Sequence, residues 1–128
     1  MITLALLKFI EANGLGSIDT DLFWQNIGID AEGIYIVNIG QAQPRGTRRV
    51  QRYELYCRDK SKVNGLKKLE DIINLINSSY GVCDLPSDED LGVDSYHNVT
   101  MLPLSTPTRV GEDENGRIIW SAFGEIIY

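Results

Sequence analysis

"GIYIVNIGQAQPRGTRRVQRYELYCRD" occupies residues 33–59 of the chain. Residues 33–40 are a β-branched and aromatic run bounded by glycines, the pattern of a strand. Residues 48–59 alternate, with Val50, Arg52, Glu54 and Tyr56 on one side and Gln51, Tyr53, Leu55 and Cys57 on the other. Between them "QAQPRGTR" interrupts with Pro44 and Gly46. Strand, loop and strand predict an antiparallel hairpin with a long arm at its tip.

Working outward from the hairpin, residues 2–13 repeat apolar side chains at Ile2, Ala5, Leu6, Phe9 and Ile10, and Asn13-Gly14 supplies a helix stop. The connector "LGSIDTDLFWQNIGID" is turn-rich, with Leu22, Phe23 and Trp24 expected in the core. After the hairpin, Asp59 is a candidate N-cap for a helix through Asn77, with Val63, Leu66, Leu69, Ile73 and Ile76 inward and Lys62, Lys67, Lys68 and Glu70 in solvent. A short strand at 82–85, the acidic loop "PSDEDLGVDS", a strand in "YHNVTMLPLS" with Pro103 marking an edge or bulge, and a last strand at 117–128 follow. The order predicts one domain over 1–128 of the α+β class. Its expected architecture is a mostly antiparallel sheet of four to five strands with two helices packed on one face. In the last strand neither alternating set of side chains is purely polar, so both of its faces are expected to be at least partly covered.

The composition fits a globular chain: 43% hydrophobic and 23% charged over 128 residues. No apolar run is long enough to span a bilayer, so no membrane partner is expected. The N-terminus lacks the basic region and cleavage site of a signal peptide, which predicts a cytoplasmic protein. Cys57 and Cys83 have no CxxC spacing and read as buried free thiols, with a disulfide possible. His97 is the one histidine, so a zinc site has few candidate ligands. No cofactor is expected.

The acidic stretch "GEDENGR" (111–117) raises three possibilities. As a calcium loop it fails at both ends, because Gly111 and Ala122 fall where carboxylates are needed. As a catalytic pair it fails because Glu112, Asp113 and Glu114, like Asp88, Glu89 and Asp90, sit in hydrophilic runs where water keeps them ionised. As a turn it works, because Asn115 and Gly116 both tolerate positive φ. There is no nucleophile elbow and no phosphate-binding glycine loop, and no enzyme is expected.

Net charge is −6, which argues against a general nucleic-acid binder, but the distribution is uneven. Residues 45–68 hold nine of the twelve basic side chains, whereas residues 69–128 hold eleven acids against Arg109 and Arg117. Opposite patches on one chain pair internally or with further copies. The basic tip "QPRGTRRVQR" is open to three readings: a solvated arm, a protein–protein arm, or a DNA contact.

Two segments carry a resemblance. "YELYCRDKSKVNGLKKLEDIINLIN" (53–77) is similar to a strand ending in arginine that runs directly into an amphipathic helix. "PTRVGEDENGRIIWSAFGEIIY" (107–128) is similar to a closing segment of proline, spacer, Gly-x-Asp-x-x-Gly-Arg and terminal strand. With the opening "LLKFIEANGLGSIDTDLFW", they resemble the tail terminator (tail-completion, or minor capsid) proteins of long-tailed bacteriophages. "NIGQAQP" departs from that pattern in lacking a second glycine where the first strand enters its loop.

The resemblance implies a non-enzymatic virion protein, assembled in the host cytoplasm, that forms a hexameric ring with copies of itself at the head-proximal end of the tail. Its implied partners are the tail tube protein and the neck or head-completion protein, with DNA passing through the ring without sequence-specific binding. Expected contact residues are Gln43, Arg45, Arg48, Arg49 and Arg52 on the arm, with Asp88, Glu89, Asp90, Glu112, Asp113 and Glu114 on the acidic loops. The alternatives are another neck ring, such as a head-completion or stopper protein, and a cellular α+β protein-binding module.

Overall fold

The computed structural model describes residues 2–28, 31–79, 81–92 and 94–128. Ile29 and Asp30 of the predicted connector, Tyr80, and Val93 of the predicted acidic loop lie outside them, as does Met1. In chain order the elements are α1 (Ile2–Ala12), β1 (Leu22–Trp24), β2 (Gly33–Arg45), β3 (Arg48–Asp59), α2 (Lys62–Ser78), β4 (Gly81–Leu85), β5 (Tyr96–Met101), β6 (Thr108–Glu112) and β7 (Ile118–Ile127).

The expected α+β fold on a mostly antiparallel sheet of four to five strands, with two helices on one face, is corrected in its sheet: both helices join one core, but the strands differ in number and direction. The fold is mostly β, with 45% strand against 23% helix, and a curled, mixed sheet of seven strands. The sheet order is β1-β2-β3-β7-β5-β4, and β6 also pairs with β7. Two strands were hidden in apparent connectors. Leu22–Trp24 pairs in parallel with Ile34–Ile36, which makes the sheet mixed. Thr108–Glu112 pairs with Ile118–Ser121 around a bulge between Arg109 and Gly111. Both are too short to show a period in sequence.

The hairpin forms with a different tip. β2 runs on to Arg45, its ladder with β3 shifting register between Asn38 and Gln41 and again between Ala42 and Arg45. The chain reverses in two residues, with Gly46 at φ 64 in the first turn position, where an L side chain would be strained. The expected eight-residue loop is therefore a bulged ribbon with a tight end. The buried Gln51 amide donates to the carbonyls of Gly40 and Arg52, both at 2.8 Å, and so holds the first bulge.

One face of the sheet and both helices form the core. Ile34 and Ile36 of β2, Tyr53, Leu55 and Cys57 of β3, and Ala122 and Ile126 of β7 meet Leu6, Leu7 and Ile10 of α1 and Leu69, Ile72 and Ile76 of α2. α1 buries Ile2 through Leu7 without a break, so its first turns have no solvent face. Inside this shell Trp24 Nε1 donates to Thr3 Oγ1 at 2.9 Å, and Thr3 Oγ1 donates to Asn38 Oδ1 at 2.7 Å. That relay ties α1, β1 and β2 together.

α2 starts two residues later than the Asp59 cap predicts. Ser61 is the N-cap, accepting from the Asn64 amide, while Asp59 is buried and accepts from the Ser61 amide at 2.8 Å. Gly65 faces the sheet so closely that a Cβ there would sit 2.9 Å from Asp59 Cβ. This contact rotates Val63, expected inside, out to 72% exposure. Both cysteines are free thiols, Cys57 buried and Cys83 half-buried. Burial pushes the Cys57 thiol up to about 12, which keeps it protonated and unreactive at neutral pH.

Candidate assembly surface

The ladder between β3 and β7 sets the geometry. Its register runs from Val50↔Ile127 at the arm end to Asp59↔Ile118 at the other, ten residue pairs in all. At ~3.4 Å per residue the two ends are about 30 Å apart. The hairpin tip lies at one end and the 113–117 turn at the other.

At the arm end, Gln43, Arg45 and Arg49 are exposed, and the Arg45 and Arg49 side chains make no ion pair among the described residues. Arg48 differs from them. Its guanidinium folds back to donate to the Asn98 carbonyl, to the Ile127 carbonyl at 3.1 Å and to Thr100 Oγ1 at 3.5 Å. It therefore fastens the arm to β5 and β7 within the chain. Arg52 pairs with Glu125 across the ladder at 3.1 Å, with 52% of its side chain still exposed.

The two acidic stretches separate. Asp88 sits near the end of a clamp: Lys8 bridges Glu11 at 2.7 Å and Asp88 at 2.9 Å, Glu11 accepts from the Ile18 amide, and Asp88 accepts from the Leu91 amide. The hydrogen bond from Lys8 holds both carboxyls below their ordinary values. Glu89 and Asp90 are exposed. The strands that flank this loop reach the arm end, where Leu85 pairs with Tyr96 and Arg48 donates to the Asn98 carbonyl.

The 113–117 turn is at the far end, and it is the tight turn the sequence indicates. Gly116 donates to the Asp113 carbonyl at 3.1 Å, and Asp113 Oδ1 accepts from the amides of Asn115 and Arg117. Asp113 is an internal residue, its carboxylate 2.7 Å from the buried Arg117 Nε. Burial works to raise its carboxyl, but the amide and guanidinium of Arg117 outweigh it and hold the carboxyl down. Arg117 and Arg58 both donate to the Ala31 carbonyl, at 3.2 and 2.7 Å, and pin the end of the connector. Glu114 is exposed and free of ion pairs among the described residues, and Glu112 meets Arg109 at 3.6 Å with both largely in solvent. Lys60 shares a cleft with Asn115 and Arg117, so this end carries some positive charge as well.

Of the eleven expected contact residues, Arg48, Asp88 and Asp113 are anchored within the chain, and Arg52 is paired across the sheet. Gln43, Arg45 and Arg49 at one end, Glu112 and Glu114 at the other, and Glu89 and Asp90 in the loop remain available on the surface. Charge alone overlooked the apolar surface. On the sheet face opposite the core, the Tyr35 and Tyr56 rings stack at 4.9 Å, and Phe123 is 59% exposed. Val110, the extra residue of the β6 bulge, is 58% exposed. The signal for Phe123 was present in the mixed second face of β7.

Among the described residues no group of three His, Cys, Asp or Glu side chains gathers as a metal site would require. No helix among them is long and apolar enough to cross a membrane. No protein-family model matches the chain, and no curated protein matches it.

Proposed function

We propose that the chain is a non-enzymatic structural subunit that joins copies of itself head to tail into a ring. By the resemblance of its closing segment, that ring is a hexamer at the head-proximal end of a phage tail. There it caps the tail tube, ends tube polymerisation and presents a surface to the neck or head-completion protein. DNA passes through without being read. One observation carries the reading. The free cations of the arm, Arg45 and Arg49, and the free carboxylate of the turn, Glu114, sit at opposite ends of a ladder about 30 Å long, so one chain cannot pair them. A contact between different patches of successive copies pairs them, and such a heterologous contact closes into a ring when its rotation allows. Individual exposed pairs contribute only about 0–1 kcal/mol, so charge sets register while apolar surface holds the copies together.

Electron microscopy of the purified protein tests this: a six-fold ring with a central hole is expected, and its absence at high protein concentration counts against the reading and in favour of a cellular binding module. Adding the protein to polymerising tube protein then distinguishes the capping role. Tubes of limited length support the terminator reading, while unchanged tubes alongside intact rings favour another neck ring.

A further inference from the structure

The arm curls over the outer face of the sheet and leaves a cleft of about 350 Å³ walled by Gln43, Pro44 and Arg45 and floored by Arg52 and Glu125. A second cleft of about 330 Å³ lies beside it, between Leu102–Ser105 and Phe123–Glu125. Glu125 belongs to both, so the two form one groove crossing the end of β7. Its arm half is cationic and polar. Its other half is apolar, with Leu102, Pro103 and the exposed Phe123.

Further along the chain from residues 102–105, one exposed segment has the reverse character. Val110 projects from a bulge on β6, which among the described residues pairs only with β7. Bulges on edge strands re-aim a side chain and stop further strand pairing, so this residue is a knob rather than a template for another strand. Glu112 and Glu114 follow it on the surface. An apolar knob followed within four residues by two exposed carboxylates matches a groove that is apolar at one end and cationic at the other.

We infer that the groove formed by the arm, β7 and residues 102–105 receives the Val110–Glu114 ridge of a second copy. Val110 packs against Phe123 and Pro103, while Glu114 faces Arg45. The inference rests on the head-to-tail reading above and names its contact. It assigns the apolar part of the interface to Phe123 and Val110, neither of which carries charge. β6 is fixed by its pairing to Ile118–Ser121 while the groove crosses Phe123–Glu125 of the same strand, so a copy cannot lay its ridge in its own groove.

The test mixes two variants that each add one exposed cysteine, Val110→Cys and Phe123→Cys, in a Cys83→Ser background that keeps only the buried Cys57, under mild oxidation, with native mass spectrometry of the unoxidised wild type in parallel. A disulfide-linked pair joining the two variants is expected. Val63→Cys, at a still more exposed apolar site on α2, serves as the collision control and is expected to give at least tenfold less product with Val110→Cys. Oligomers without the Val110–Phe123 cross-link, or cross-linking equal to the control, overturn the groove and leave the ring reading standing. No cross-link and a strictly monomeric wild type overturn both.

Discussion

Tyr53 buries its whole side chain in the centre of β3, and its hydroxyl has no hydrogen-bond partner among the described residues. The ring is held close to Gly124, where a Cβ would come within 3.0 Å of the hydroxyl, and burial raises the phenol well above its ordinary value. An unpaired buried donor costs free energy that removing it recovers, so Tyr53→Phe is expected to leave stability unchanged or raise it by up to about 1 kcal/mol in thermal denaturation. A loss of stability would reveal a partner for the hydroxyl. Arg48 and Arg49 show what residue types can and cannot convey. They are adjacent and identical in the sequence, yet one binds three acceptors within the chain and the other points its charge into solvent. The difference depends on where β5 and β7 end, which no local pattern encodes. Asp88 and Asp113 were legible as acidic surface for the same reason, and they became internal only once Lys8 and Arg117 were brought to them by the fold.

At the level of elements, the strands with a long period were legible: β3 and β7 alternate over ten paired positions, and their inward sets are the ones the alternation gives. β1 and β6 were not, because three and five residues contain no usable period and their pairing is fixed by distant partners. The extent of β2 was misread because Pro44 and Gly46 mark a break, whereas bulges and the Gln51 amide let the ladder absorb them. The clamp between α1 and the 86–91 loop has its own signature. Glu11 and Asp88 titrate below their ordinary 4.5 and 3.8 in the folded protein, so their contribution is present above those values and is lost as pH falls through the lower, folded ones. The Lys8 ammonium is held above its ordinary 10.5, so its contribution persists through neutral pH and disappears only in strong alkali. The melting temperature is therefore expected to be flat from about pH 5 to 9 and to fall below about pH 4. Lys8→Met is expected to flatten the acid limb, measured by circular dichroism melts; an unchanged acid limb in that variant would remove the clamp from the account.

On the scale of the whole molecule, the sequence's division into basic and acidic stretches turns into a spatial arrangement that sequence order misrepresents. The strands flanking the acidic loop near residue 90 reach the arm end, while the acidic turn near residue 113 is a ladder's length away. Only the second of these leaves opposite charges that one chain cannot join, and it is the basis for the proposed head-to-tail ring. Long-range screening at physiological ionic strength, about 8 Å, makes any direct attraction across 30 Å within one chain negligible. The central claim is therefore about contacts between copies. Native mass spectrometry of charge-reversed variants tests it most directly. Arg45→Glu with Arg49→Glu, and Glu112→Lys with Glu114→Lys, are each expected to fold and to remain monomeric where the wild type is hexameric. An equimolar mixture of the two is expected to restore the hexamer with alternating subunits, because every contact in the mixture again joins opposite charges. Reversed variants that keep the wild-type mass, or a mixture that stays monomeric beside a hexameric wild type, would contradict the account.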